Sequence, residues 1–192
     1  MNDKNLYQLL RPIVGWLMKK TFHPEIIYEE EIPKNDKIIL AGNHIHLLDS
    51  VLLSMATDRN IYVLAKNELF KGPFRAFFNS LGCIPVDRSG NGLASIREAL
   101  ISLEEGKCIG IFPEGTRNKT DKIILPFKLG TVVIAKRSKT DIIPFSITGK
   151  YKLINNNLKL TIGKRICVKD YSTEDLLNKV EDDVKSLILK NR

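Results

Sequence analysis

The sequence predicts a single α/β domain with a mixed, largely parallel sheet flanked by helices, preceded by an N-terminal amphipathic helical arm. Three observations support this fold. Short apolar runs of the kind that form strands alternate with segments of helical periodicity, which is typical of α/β domains. A chain of 192 residues suits one hydrophobic core. No repeat, low-complexity tract or linker divides the chain. We expect the helical arm at residues 1–24 and the domain at residues 25–192.

Six apolar runs are the candidate strands, and five segments with helical patterning are the candidate helices. The strands are Ile38–Leu40, Ile61–Leu64, Ile84–Val86, Ile109–Phe112, Ile142–Ile147 and Leu158–Val168. The helices are Ser50–Thr57, Phe74–Leu81, Leu93–Glu105, Thr131–Arg137 and Thr173–Leu189. Ser172 is the expected N-cap of the last helix, with Asp175 three residues further on. The apolar stripe of that helix indicates a packing role.

The arm carries an apolar face, but it is too short to span a membrane. Arg11 and Pro12 interrupt the run from Leu6 to Phe22, and a spanning helix needs about 20 apolar residues. The apolar face consists of Leu6, Leu9, Leu10, Ile13, Val14, Trp16 and Leu17, opposite Gln8, Arg11 and Lys19. Trp16 near Lys19 and Lys20 is typical of a helix that lies in a membrane interface. The alternative is a surface helix that packs on its own core.

The chain is basic, with a net charge of +8. A basic surface favours anionic partners, namely acidic lipid headgroups, acidic carrier proteins, phosphorylated substrates or nucleic acid. Solvated surface lysines without any such partner can also give a chain a positive net charge. The lysines are dispersed and lack an aromatic stacking signature, so we expect no nucleic acid.

The three cysteines lie singly in apolar runs, without metal-ligand or redox spacing. No signal peptide is evident. Both observations predict a reducing, cytoplasmic compartment.

Two histidines follow the first predicted strand, at the edge of an α/β sheet where sites are built. His44 and Asp49 are five residues apart, which would turn them about 140° from each other in one continuous helix. Contact therefore requires His44 to lie in the turn before a helix that starts near Asp49. Asp49 could then stabilise an imidazolium formed when His44 takes a proton. His46 is a rival base, and a helix-capping Asp49 with two turn-filling histidines is equally compatible with the sequence.

A second polar segment, Glu114-Gly115-Thr116-Arg117, follows the apolar run that ends at Phe112. Arg117 suits bidentate capture of a phosphate, and Gly115 lets backbone amides approach an anion. Glu114 could orient Arg117 or bind a substrate hydroxyl, but a simple surface ion pair between the two is also possible. The segment lacks the Lys-Ser/Thr pair of a nucleotide-binding P-loop, which excludes that class.

Together these segments resemble the 1-acylglycerol-3-phosphate acyltransferase family. Its four blocks occur in order, as Asn43-His44-x4-Asp49, Gly82-Cys83-Ile84-Pro85-Val86-Asp87-Arg88, Phe112-Pro113-Glu114-Gly115-Thr116-Arg117 and Ile142-Ile143-Pro144-Phe145. Lys66-x-Glu68-Leu69-Phe70 and Pro126-Phe127-Lys128-x-Gly130 also look like family signatures. The resemblance covers about residues 38–150. Two positions depart from the pattern: His46 replaces a small or polar residue, and Asn118 follows Arg117 where serine is common.

The resemblance implies a direct acyl transfer to 1-acyl-glycerol-3-phosphate (lysophosphatidic acid), giving phosphatidic acid. His44 is then the general base and Asp49 its orienting partner. The implied phosphate-binding residues are Glu114, Gly115, Thr116, Arg117 and Arg88, and the possible contacts to substrate or donor are Lys66, Lys128 and Pro144. The donor is acyl-CoA or acyl carrier protein, with no bound cofactor, no metal and no covalent acyl-enzyme. The enzyme is expected at an anionic membrane surface, as a peripheral protein of the cytoplasmic face.

Other functions share part of this pattern. Another lysophospholipid or glycerol-3-phosphate could be the acceptor, since a phosphate site fits many headgroups. A thioester hydrolase would use water in place of the acceptor hydroxyl. The chain has no Gly-x-Ser-x-Gly sequence, so a serine hydrolase with a nucleophile elbow is disfavoured.

Overall fold

A computed structural model describes residues 3–66, 83–86, 93–153 and 157–191. Within them, seven strands form one sheet in the order β1-β7-β6-β2-β5-β3-β4. The strands are β1 (Glu25–Tyr28), β2 (Ile38–Gly42), β3 (Ile61–Lys66), β4 (Cys83–Val86), β5 (Cys108–Ile111), β6 (Ile142–Thr148) and β7 (Lys159–Ile162). The five strands from β6 to β4 run parallel, whereas β7 is antiparallel to β6 and β1 pairs with β7 in parallel. The predicted mixed, largely parallel α/β sheet is confirmed.

Helices cover both faces of this sheet. The described helices are α1 (Asp3–Phe22), α2 (Asp49–Ser54), α3 (Leu93–Glu104), α4 (Gly130–Ser138) and α5 (Thr173–Lys190). Every residue of the central strand β2 is buried. Its side chains alternate between the two cores because successive residues of a strand point to opposite faces. Ile39 and Ala41 belong to the core beneath α3, α4 and α5, whereas Ile38 and Leu40 belong to the core beneath α1 and α2.

The structure corrects two element predictions. The edge strand β1 was missed because it is only four residues long, with exposed residues at both ends. The predicted strand Leu158–Val168 is too long, because β7 ends at Ile162. Ile166 and Val168 are also buried, but they lie outside the strand: Ile166 forms an isolated bridge with Ile142, and Val168 begins a short 3-10 helix. An apolar run in the sequence indicates that its residues are buried, and residues of a loop can be buried as well as those of a strand. The predicted helix Phe74–Leu81 lies outside the described residues.

The C-terminal helix begins and packs as the sequence indicates. The Ser172 hydroxyl accepts a hydrogen bond from the Asp175 N–H at 3.1 Å, which satisfies one of the unpaired donors of the first turn. The predicted stripe is buried at Leu176, Val180, Val184, Leu187 and Ile188. This helix covers β6 from the face opposite α2.

Helix α1 packs against α2 through a side that the sequence assigned to its polar face. The Arg11 guanidinium donates to the carbonyls of Ser54, Thr57 and Asp58 at the end of α2, at 3.3 Å from Ser54 and 2.6 Å from Asp58. Met18 is 4% exposed in the core. Arg11 is therefore an internal anchor, because guanidinium groups satisfy the unpaired carbonyls of a helix end.

The outer side of α1 is apolar. Ile13, Trp16 and Leu17 are 58%, 61% and 56% exposed. No helix among the described residues is long and apolar enough to cross a bilayer.

Candidate active site

The parallel pairing of β2 with β5 brings the two polar segments together at one edge of the sheet. Both strands end there, so residues 43–49 and 112–118 leave the sheet side by side. The His44 N–H donates to Oε1 of Glu114 at 2.7 Å, and the His44 carbonyl accepts from the Asn118 N–H at 2.7 Å. These backbone contacts hold the histidine turn against the Glu114 segment.

His44 lies in the turn before α2, and Asp49 is the first residue of that helix. Nδ1 of His44 is 2.7 Å from Oδ2 of Asp49. The N–H groups of Ile45 and His46 also donate to Oδ2, at 2.7 and 2.8 Å, and the Tyr151 hydroxyl donates to Oδ1 at 2.7 Å. The Asp49 side chain is 0% exposed, and these donors compensate for burying its charge.

The geometry defines which nitrogen of His44 is basic. An ionised carboxylate only accepts hydrogen bonds, so Nδ1 carries the proton and Nε2 has the lone pair. The imidazole stacks on the Phe112 ring, with centroids 4.2 Å apart and an interplanar angle of 22°. Phe112 in turn contacts Phe145 of β6 edge-on at 5.8 Å. The His44 side chain is 20% exposed, so its orientation is restrained while Nε2 can still be reached.

His46 is held differently. Its Nδ1 accepts the Leu48 N–H at 3.2 Å, which places the proton of the neutral ring on Nε2. The ring stacks on Tyr151 at 4.3 Å, and only its backbone N–H contacts Asp49. The fold therefore brings the Asp49 carboxylate to the His44 ring, whereas no carboxylate of the described residues contacts the ring of the rival histidine.

Glu114 is buried between two loops, at 2% exposure. Its Oε2 accepts the Leu125 N–H at 2.7 Å, while Oε1 accepts the His44 N–H. Burial raises the pKa of this carboxyl, and the two amide hydrogen bonds oppose that rise. In the described part of the chain, neither oxygen pairs with Arg117. These contacts favour a positioning role for Glu114 over direct contact with a phosphate.

The other residues of this segment form an exposed cationic turn. Gly115 has φ +70°, a backbone conformation that other residues rarely adopt, so the turn favours glycine, and Nζ of the flexible Lys128 side chain lies close to its Cα. Its N–H donates to the Phe112 carbonyl at 2.9 Å. Thr116, Arg117 and Lys128 are exposed. No described residue forms a hydrogen bond or ion pair with the Arg117 guanidinium, which is open to an anion.

The remaining predicted contacts have different positions. Lys66 ends β3, at the same edge of the sheet, two strands away from β2. Pro144 lies in β6 beside a cleft formed with Gly163 and Leu187, whereas its neighbour Phe145 points to the opposite core. The structure therefore does not bring Pro144 to His44. Arg88 lies outside the described residues.

Sequence reasoning missed Tyr151, and it named Asn43 only as part of the first block, without a role. Tyr151 follows Asp49 by 102 residues and belongs to none of the recognised blocks. Asn43, at the start of the histidine segment, is 2% exposed and exchanges two hydrogen bonds with the backbone of Ile147, at 2.8 and 2.7 Å. It ties the segment to β6. Among the described residues, no group of three or more His, Cys, Asp or Glu side chains is arranged to hold a metal ion.

Fold and site together define an α/β enzyme with a His–Asp pair beside exposed cations at the carboxyl edge of its sheet. The Acyltransferase family model matches residues 23–148, and the chain belongs to this family. It is an O-acyltransferase of phospholipid biosynthesis.

Relatives called 1-acyl-sn-glycerol-3-phosphate acyltransferase resemble the chain over most of its length. The protein from Bacillus subtilis (strain 168) is 30% identical over 154 residues, which are 77% of this chain and 76% of the relative. The protein from Borreliella burgdorferi is 30% identical over 161 residues, covering 82% of this chain and 64% of the relative. The crystal structure of the 1-acyl-sn-glycerophosphate acyltransferase from Thermotoga maritima matches 100% of this chain and 85% of its own, with a TM-score of 0.77 and 28% identity.

Proposed function

We propose that this enzyme transfers a fatty acyl group from a thioester donor to the free hydroxyl of lysophosphatidic acid, giving phosphatidic acid. The donor is acyl-CoA or acyl carrier protein. The observation that carries the proposal is the buried His44–Asp49 pair, whose basic nitrogen lies at the same edge of the sheet as the exposed Arg117. The names of the relatives support this acceptor.

The reaction needs one base and no covalent enzyme intermediate. Nε2 of His44 takes the proton of the acceptor hydroxyl while its oxygen attacks the thioester carbonyl carbon. The new C–O bond forms, the C–S bond breaks, and the leaving thiolate takes the proton from the imidazolium. Asp49 stabilises the imidazolium between these two proton transfers, because its buried carboxylate accepts the hydrogen bond from Nδ1.

The cationic turn is the proposed phosphate site. Arg117 can donate two parallel hydrogen bonds to phosphate oxygens, and Lys128 adds a second positive charge across Gly115. Thr116 adds a hydroxyl donor. Glu114 holds His44 and the loop at Leu125 in place, and does not itself contact the phosphate.

The phosphate site is tested by replacing Arg117 with alanine. A hydrogen bond to a charged group contributes about 1.5–3 kcal/mol, so we expect KM for lysophosphatidic acid to rise roughly 10–100-fold. The kcat at saturation should fall much less, because the dyad is untouched. Initial rates over a range of lysophosphatidic acid concentrations measure both constants.

A matched control for this substitution is Arg97→Ala, which removes an exposed arginine on α3. Its KM should equal that of the wild type. The uncharged acceptor monoacylglycerol should show no loss on Arg117→Ala. An unchanged KM for lysophosphatidic acid in Arg117→Ala would refute the phosphate site, and a better rate with another lysophospholipid or with glycerol-3-phosphate would change the acceptor.

The outer face of α1 is the proposed membrane contact, which makes the enzyme a peripheral protein of an anionic, cytoplasmic membrane face. Ile13, Trp16 and Leu17 are exposed, and Lys19 and Lys20 follow in the last turn. This arrangement suits a helix lying in the headgroup region, with its apolar side in the acyl boundary and its lysines near anionic lipid.

Replacing Ile13, Trp16 and Leu17 together with serine tests this contact. Burying one large apolar side chain contributes about 1.5–3 kcal/mol. We therefore expect binding to vesicles containing phosphatidylglycerol to fall at least about tenfold in a flotation assay, at an unchanged Tm. Leu189→Ser on α5, which is similarly exposed at 58%, is the control and should float as the wild type does. Equal flotation of the triple variant and the wild type would remove α1 from the membrane contact.

A further inference from the structure

The two oxygens of the buried Asp49 carboxylate are bonded unequally. Oδ2 accepts from Nδ1 of His44 and from the N–H groups of Ile45 and His46. Oδ1 accepts from one described donor, the Tyr151 hydroxyl, at 2.7 Å. The side chain is 0% exposed, so solvent does not replace a missing donor there. The Tyr151 hydroxyl is therefore the described group that satisfies the hydrogen-bonding capacity of Oδ1.

The Tyr151 ring is itself held by aromatic neighbours on two sides. One face stacks on His46, with centroids 4.3 Å apart, and Phe22 at the end of α1 contacts the ring edge-on at 5.5 Å. The chain reaches this position directly after β6, through Gly149 at φ +85°. Such packing fixes the direction of the hydroxyl, since a half-buried aromatic ring held on two sides has few alternative rotamers.

The hydroxyl acts as a donor throughout the working pH range. Burial, followed by the negative charge of Asp49, raises the pKa of Tyr151 above its ordinary value. The phenol therefore remains protonated, and its single proton points at Oδ1.

We propose that Tyr151 is a positioning residue for acyl transfer, whose hydroxyl holds the Asp49 carboxylate in the orientation that presents Oδ2 to the His44 imidazole. This role rests on the proposed function of the His44–Asp49 pair. Tyr151 acts through Asp49 and does not contact the reacting atoms. A comparable effect is known in metal sites, where residues that hydrogen-bond to a metal ligand set its orientation and basicity without contacting the metal.

Removing the hydroxyl should change the titration of the dyad in one direction. In Tyr151→Phe, Oδ1 has no donor, and the titratable groups around the carboxylate are then His44, His46 and Glu114. Losing this hydrogen bond leaves the negative charge of Asp49 less stabilised, and a less satisfied carboxylate attracts the imidazolium proton more strongly. The acid limb of the kcat/KM profile therefore moves to higher pH.

The experiment compares Tyr151→Phe with wild type in rate, pH profile and Tm. We expect kcat to fall about tenfold, with KM for lysophosphatidic acid within about twofold and the acid limb shifted to higher pH. Tyr28→Phe is the matched control, because the Tyr28 hydroxyl also donates one hydrogen bond, to the Ala56 carbonyl at 2.8 Å. That variant should keep the wild-type profile.

Either of two results would overturn the proposal. One is a Tyr151→Phe enzyme with the kcat and acid limb of the wild type. The other is a loss of activity that follows Tm alone, with no shift of the pH profile, which would indicate general destabilisation.

A readout independent of turnover separates this proposal from the proposed function. The strongly hydrogen-bonded Nδ1 proton of His44 should give a low-field signal in proton NMR. We expect that signal to shift or broaden in Tyr151→Phe and to stay unchanged in Tyr28→Phe. Wild-type enzyme that is inactive with both donors refutes the proposed function, whereas an unmoved signal in Tyr151→Phe refutes the role of Tyr151.

Discussion

Replacing His44 with alanine is expected to lower kcat/KM for lysophosphatidic acid by about a thousandfold, because a positioned general base contributes roughly 10²–10⁴-fold in rate. The enzyme is purified in mild detergent and supplied with acyl-CoA or acyl carrier protein together with lysophosphatidic acid. Thiol release and phosphatidic acid are followed in parallel. The substitution removes a partly buried ring stacked on Phe112, so Tm is measured alongside to separate chemistry from folding.

His46→Ala is the matched control for this experiment. The His46 ring contacts no carboxylate in the described part of the chain, and its Nδ1 accepts the Leu48 N–H. We expect a loss of less than about tenfold, from the missing contact to Tyr151 and the unpaired amide. Activity that survives in His44→Ala and disappears in His46→Ala would move the base to His46. Thiol release by wild type without any lipid product, over a panel of lyso-lipids, would indicate a thioester hydrolase.

Asp49→Asn is expected to lower kcat about a hundredfold while keeping the orientation of His44. Two backbone N–H groups point at the Oδ2 position, so the amide oxygen must occupy it and the NH₂ group must face the Tyr151 hydroxyl. Nδ1–H of His44 then still has an acceptor, and only the negative charge is lost. A hydrogen bond to a charged partner contributes about 1.5–3 kcal/mol, which corresponds to this loss in rate.

The pH profile of Asp49→Asn should move opposite to that of Tyr151→Phe. Without the carboxylate charge the imidazolium is less stable, so the acid limb of kcat/KM shifts to lower pH. The profile is recorded beside that of wild type with lysophosphatidic acid as acceptor. A kcat within about threefold of wild type would show that the carboxylate does not support the base.

The local part of the site could be read from the sequence. His44 and Asp49 lie within one strand-turn-helix segment, and their spacing required the histidine to precede the helix, where the structure places it. The sequence also placed the histidine turn at the carboxyl end of a strand, at the edge of an α/β sheet where sites are built. It did not place the Arg117 segment beside that turn, because the neighbours of each strand depend on the strand order.

The outward-facing side of α1 was only partly predictable from the sequence. Helical periodicity identified Ile13, Trp16 and Leu17 as one face, and all three are exposed. The same periodicity placed Arg11 on a solvated face, whereas its guanidinium contacts the carbonyls that end α2. A helical wheel ranks residues by polarity and contains no information about unpaired carbonyls on a neighbouring helix.

The sequence by itself predicted the fold class and the enzyme family, and it limited a contact between His44 and Asp49 to one geometry, because each of these depends on periodicity, motif order or residues a few positions apart. Only the tertiary structure showed the contact of Glu114, which reaches His44 across 70 residues, and that of Tyr151, which reaches Asp49 across 102. Both contacts depend on β2 lying between β6 and β5 in the sheet. Such an order is set by the packing of the whole core, which the spacing of residues along the chain does not encode.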